Sequence, residues 1–120
     1  MAGKNLRGIV NDNGLAQLGD SLVNFAYSVA LTAKTGRPAG TRVPDKVLAE
    51  AAVKAGLRES LPRRVGRGEV ANSLEALVGF VWLEKLVSLD EILECLKGED
   101  LDPSQNFARL AELALARIGK

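Results

Sequence analysis

GLAQLGDSLVNFAYSVALTAK, residues 14–34, reads as one helix of about twenty residues, roughly 30 Å long. Apolar residues recur at Leu15, Leu18, Leu22, Phe25, Ala26, Val29 and Ala33, the spacing of a single helical face, and that face is expected to be buried. Gln17, Asp20, Ser21, Asn24 and Ser28 form a second, polar stripe that water would satisfy. Amphipathicity does not account for Gly19-Asp20. A glycine in mid-helix costs about 1 kcal/mol relative to alanine, so close packing is the expected reason for it. The pair predicts a carboxylate held where another backbone comes very near.

The neighbouring segments are punctuated as helices too. Asn11-Asp12-Asn13-Gly14 supplies a turn and N-caps for the long helix, and Gly36 with Pro38 stops it. Met1–Val10, with Leu6, Ile9 and Val10, reads as a frayed turn. Val43-Pro44-Asp45 opens a second helix that buries Val47, Leu48, Ala51, Ala52 and Ala55. Gly56 caps it, Leu57 packs behind, and a short turn runs through Leu61. Glu69–Leu86 is a third helix, apolar on nearly all sides through Leu74, Leu77, Val78, Val81 and Leu83, and therefore central. Phe80 and Trp82 are expected inside. Gly79 is its mid-helix glycine, which predicts a close crossing of Gly19 and Gly79.

Ser88 and Glu91 form a capping box that starts a fourth helix through Leu96, ended by Gly98, with Cys95 expected in the core. Asp102-Pro103 caps a fifth helix through Ile118, with Phe107, Leu110, Leu113, Leu115 and Ile118 on its apolar face.

At 120 residues the chain is expected to form one all-α domain over its whole length. The low aromatic content, 4%, in a sequence led by Ala and Leu favours close-packed helices over sheets. A net charge of +1 gives no global field to recruit nucleic acid, so any basic site must be local. The absence of histidine removes imidazole ligands and imidazole bases and makes zinc a poor fit. A lone Cys95, no apolar run of about twenty residues, and no apolar core in the opening MAGKNLRGIV are the expectations of a cytoplasmic protein.

Pro62–Gly68, PRRVGRG, is the least regular and most basic stretch, with Arg63, Arg64 and Arg67 in it and Arg58 just upstream. One reading is a solvated loop; the other is a set of phosphate contacts.

Three segments together resemble a known family. Leu15-Ala16-Gln17-Leu18-Gly19-Asp20-Ser21-Leu22 resembles the signature helix of the ribonuclease III catalytic domain, L-E-F-L-G-D-[AS]-[VIL]. Ala71-Asn72-Ser73-Leu74-Glu75-Ala76-Leu77-Val78-Gly79 is similar to its second motif, A-D-x-[FV]-E-A-L-[IV]-G. Val43–Glu50 with Gly56-Leu57 resembles the segment between them. The likeness is strongest over residues 13–87 and is nearest to small archaeal ribonuclease III-like proteins without a separate double-stranded RNA-binding domain.

The resemblance implies a helical homodimer that holds Mg²⁺, or Mn²⁺, on acidic side chains and hydrolyses phosphodiesters of double-stranded or structured RNA. It assigns Asp20 and Glu75 as metal ligands, with Asn72 as a third catalytic residue offering a neutral oxygen or holding a water. Arg58, Arg63, Arg64 and Arg67 would contact RNA phosphates. Three positions depart from the acidic pattern: Ala16, Asn13 and Asn72 stand where the family carries carboxylates, and Gln17 stands in place of a Phe at the dimer interface. A second functional reading follows, a non-catalytic RNA-binding or structural homodimer that kept the fold. A second local reading makes Asn72 an N-cap and Glu75 its N3 partner.

Overall fold

The structure is a computed structural model and describes residues 5–98 and 102–119. Met1–Lys4 of the predicted opening turn lie outside the described residues. Among the described residues the regular structure is entirely helical: α1 Leu6–Val10, α2 Asn13–Thr35, α3 Asp45–Lys54, a 3₁₀ turn Leu57–Ser60, α4 Arg67–Leu83, α5 Leu89–Leu96 and α6 Pro103–Ile118. The all-α expectation holds, and so do the caps. Asp12 accepts the Leu15 N–H at 2.9 Å to start α2. Gly36 ends it in the left-handed region at φ 75°. Ser88 and Glu91 close a reciprocal capping box on α5.

α4 is the central rod. Every residue from Ser73 to Val81 is buried, and α1, α2, α3 and α6 all pack against it. It crosses α2 backbone to backbone. A Cβ on Gly79 would stand 2.7 Å from the Leu15 carbonyl oxygen and 3.4 Å from Gly19 Cα. A Cβ on Gly19 would overlap the Glu75 carbonyl. The crossing predicted from the two glycines is therefore present, and it fixes Asp20 on α2 beside Glu75 on α4.

The buried stripe of α2 is rotated from the predicted one. It consists of Leu15, Gly19, Val23, Ala26 and Ala30, whereas Phe25 is 55% exposed and Ala33 is exposed. Small residues face α4 because the crossing is close, and the larger Leu18, Leu22 and Val29 lie partly buried beside it. Trp82 and Leu83 are also outside, at 38% and 46% exposure, on the last turn of α4. On α6 the buried stripe is Phe107, Ala108, Leu110, Ala111 and Ala114, with Leu113, Leu115 and Ile118 half-buried at its margin. Cys95 is half-buried rather than enclosed.

The polar stripe of α2 does not simply face water. Residues 37–43 run back along it as an extended strap. Ser28 Oγ donates to the Thr41 carbonyl at 3.0 Å and accepts the Thr41 N–H at 2.9 Å. Thr32 Oγ1 does the same for Ala39, at 3.3 and 3.0 Å. Asn24 Oδ1 accepts the Val43 N–H at 2.7 Å. Four residues of helix advance about 6 Å, and two residues of extended chain advance nearly as far, so every second strap residue meets the next turn of α2. The strap delivers Arg42 and then α3 to the α2–α4 crossing.

Candidate active site

Asp20 lies one residue past the Gly19 contact, and Glu75 supplies the backbone that Gly19 touches. Their carboxyls face one another across the crossing. Glu75 is 4% exposed and its pKa is raised to about 8, first by burial, then by its hydrogen bond to Asp20 and by the negative charges of Asp20 and Asp45; Arg42 opposes the rise. At neutral pH Glu75 therefore carries the proton and donates it to the Asp20 carboxylate. α4 begins at Arg67 with Gly66 as its N-cap, so Glu75 sits in the helix interior and the reading of Asn72-Ser73-Leu74-Glu75 as a helix start is overturned.

Each carboxyl has further support. Asn24 Nδ2 donates to Asp20 Oδ1 at 2.9 Å and to the Asp20 carbonyl at 2.8 Å. Arg42 Nη2 lies 3.4 Å from Asp20 Oδ1. Asn72, oriented so that its amide nitrogen meets acceptors, donates to Glu75 Oε1 at 3.1 Å and to the Gly68 carbonyl at 3.2 Å. The amide thus offers Glu75 a donor, where an oxygen directed at a metal was expected.

Asp20, Arg42, Asn72 and Glu75 line an open groove together with Asn13, Ala16, Gln17 and Asp45. A second hollow shares Asn13, Ala16 and Asn72 with it and continues past Leu61 and Pro62, to the foot of the Arg63-Arg64 loop. The four predicted arginines do not stand together. Arg63 and Arg64 are exposed on that loop. Arg58 donates to the Pro62 and Arg63 carbonyls and so holds the loop's shape. Arg67 is the first residue of α4 rather than a loop residue, and with Arg58 it lines a separate groove against α3.

Sequence reasoning missed Arg42 and Asp45 as site residues, and Asn24 as the residue that orients Asp20. Asp20, Asn24 and Ser28 were read as part of a polar stripe, but the partner strap, lying 13 residues on from Ser28 at Thr41, was not.

The donor set can be tested against a divalent ion. Among the described residues there is no group of three or more carboxylates, thiols or imidazoles poised to hold a metal. Mg²⁺ retains several waters and is commonly held by one or two carboxylates together with substrate phosphate, so Asp20 and Glu75 in a polar, open groove fit it. The family profile described as Ribonuclease III matches residues 13–118. The sequence matches no curated protein. Ribonuclease III enzymes are RNA-processing endoribonucleases that generally use a divalent metal. The match spans most of the chain, and α2 through α6, the glycine crossing and the acidic pair all lie within it: the chain belongs to the ribonuclease III family.

Proposed function

We propose that this protein is an endoribonuclease that binds double-stranded or structured RNA along the groove from Arg42 to the Arg63-Arg64 loop and hydrolyses a phosphodiester beside Asp20 and Glu75. The observation that carries the reading is the pairing of two carboxyls in an open polar groove at the bottom of a backbone-to-backbone crossing. A purely structural domain gains little from holding two acids together, since one must then keep its proton against its ordinary preference.

Asp20 and Glu75 are the residues that would hold Mg²⁺ or Mn²⁺. When bound, such an ion supplies charge to a scissile phosphate and lowers the pKa of an attacking water. The chain's own parts have distinct tasks. Asn24 aims the Asp20 carboxylate, and Asn72 steadies Glu75 through its amide. To serve as a ligand the Glu75 carboxyl would give up its proton to solvent, which the charge of a bound cation would favour. Arg63 and Arg64 meet phosphates further along the groove; A-form RNA is recognised mainly through such backbone and 2′-hydroxyl contacts. Two-fold pairing through α2 belongs to the same reading and draws support from Phe25, 55% exposed on that helix. Light scattering at micromolar concentration tests it, and a monomer mass refutes it.

A second reading has its own support. Ala16 lines the groove where an acid would complete the donor set, which favours an RNA-binding protein that no longer cuts. One experiment separates the two. Purified protein is incubated with duplex RNA and Mg²⁺ or Mn²⁺, beside Asp20→Asn and Glu75→Gln variants. Cleavage lost in both variants establishes the enzyme. A wild type that cuts nothing and gains no thermal stability from either metal leaves the binding reading standing.

A further inference from the structure

We infer that Arg42 is a phosphate-contacting residue of the groove, exchanging its ion pair with Asp20 for a backbone phosphate when RNA arrives; the inference rests on the reading that the groove takes structured RNA.

The groove has a charge problem that Arg42 resolves. Asp20 and Asp45 line it together with the proton-bearing Glu75, and Arg42 is the one cation among the described residues that do. A polyanion approaching Asp20 and Asp45 is repelled unless a positive group meets it. The Arg63-Arg64 loop lies at the far end of the adjoining hollow, beyond Asn72 and Pro62. At the acidic pair itself the compensating charge is the Arg42 guanidinium.

Arg42 is built to move at one end only. Its backbone is held on both sides: Thr41 by Ser28, and Val43 by Asn24. Its side chain is 80% exposed. The Cα is therefore fixed over the groove while the guanidinium is free to choose partners. Its present partner is a weak one. The contact to Asp20 is single and 3.4 Å long, with Asp20 itself 41% exposed. Exposed pairs of this kind are easily broken, whereas a guanidinium takes a phosphate through two parallel hydrogen bonds. Leaving Asp20 removes the cation from its Oδ1 but not the hydrogen bond that Asn24 donates there. Asn24 keeps that carboxylate aimed during the exchange, because its own bond to Asp20 Oδ1 does not depend on Arg42.

The test measures RNA binding without cleavage. The full chain is titrated with a short RNA duplex in EDTA over a series of KCl concentrations. Arg42→Gln is expected to bind about tenfold more weakly at low salt and to lower the slope of log affinity against log salt by about one, the loss of one phosphate contact. Arg42→Lys keeps the charge and therefore the slope, but loses affinity with the two-pronged geometry. Arg37→Gln is the control. It removes the same charge from the same strap, up to about 17 Å further back, beyond a Debye length of about 10 Å. If Arg42→Gln leaves affinity and slope unchanged, or Arg37→Gln matches its effect, the inference is overturned while the RNA-binding reading survives. A wild type that does not bind duplex RNA overturns both.

Discussion

Gly19→Ala tests the crossing on which the site is built. In an ordinary helix this change stabilises by about 1 kcal/mol. Here the added methyl group would overlap the Glu75 carbonyl carbon and oxygen and would stand 3.0 Å from Glu75 Cα, all of it backbone in the most buried helix. No rotamer change relieves such a clash, so α2 must lift from α4. A gap of 0.5–1 Å already forfeits roughly a quarter to a half of each dispersion contact, and the contacts concerned include those of Val23 and Ala26. Overpacking that moves backbone costs about 1–3 kcal/mol and sometimes more; with the overlap this severe, and set against the propensity gain of about 1 kcal/mol, the net loss expected for Gly19→Ala is about 2 kcal/mol or above. That is a large share of the 5–15 kcal/mol typical of a domain.

Gly79→Ala is milder. Its Cβ would approach the Leu15 carbonyl oxygen at 2.7 Å and Gly19 N at 3.2 Å, both backbone atoms of α2, so the helix itself must give way, though by less than for Gly19→Ala. Set against the helix-propensity gain, the net cost is about 0–2 kcal/mol. Gly40 supplies the internal standard: nothing lies within 4 Å of an added Cβ and its φ is not positive, so Gly40→Ala is expected to stabilise by about 0.4–1 kcal/mol. Urea unfolding followed by far-ultraviolet circular dichroism ranks the three. A Gly19→Ala midpoint equal to that of the wild type, or a Gly40→Ala protein weaker than Gly79→Ala, would refute the reasoning.

Three other perturbations follow from named contacts. Glu75 holds its proton in the fold up to about pH 8 but gives it up near its ordinary value of 4.5 when unfolded, so its contribution to stability is present below pH 4.5 and is lost as pH rises towards 8. Glu75→Gln should flatten that decline and raise stability at pH 8–9 by on the order of a few kcal/mol, read from urea midpoints across pH; a variant that still loses stability as steeply as the wild type refutes it. Glu91 moves the other way: its hydrogen bond from Arg117, which also donates to the Leu86 carbonyl at 2.8 Å, lowers its pKa to about 2. Its stabilisation is present above pH 4.5 and lost as pH falls towards 2, so Glu91→Gln, which keeps the capping box, should lessen the stability lost on acidification; an unchanged acid limb counts against it. Asn24→Ala leaves the Val43 N–H without its acceptor and should cost about 1–3 kcal/mol while opening the bond after Arg42 to trypsin. Digestion no faster than that of the wild type would show that the strap does not depend on Asn24.

The parts of this fold that were legible in the sequence are those written locally. A cap is a side chain two or three residues from its partner, so Asp12, Ser88, Glu91 and Asp102 could be read one by one. The glycine crossing was legible because mid-helix glycine is costly and asks for a reason. The rotation of α2 was not legible. Periodicity counts hydrophobic residues, and the face against α4 is set by small ones, so Phe25 was assigned inward and stands outside. Trp82 and Leu83 were misplaced for a related reason: an apolar run does not reveal which residues of a helix's last turn stand outside the core. Within the site, Asp20 and Glu75 could be named, but Asn24, Arg42 and Asp45 join them through a strap whose bonds span 7 to 19 residues and follow no short motif.

The strap also sets a rule for chain length. Connections between helices ordinarily accept insertions at little cost, since closure entropy grows only slowly with length. Residues 37–43 work instead like the teeth of a rack engaged with α2: alternate residues bind Thr32, Ser28 and Asn24, and Arg42 falls between two engaged teeth. One inserted residue beyond Ala39 would turn Arg42 to the opposite side of the strap. Two would restore its side but slide it by a whole helical turn, about 6 Å away from Asp20. Homologous chains that preserve this device are therefore expected to hold the count between Asn24 and Arg42 even where the identities of the strap residues change.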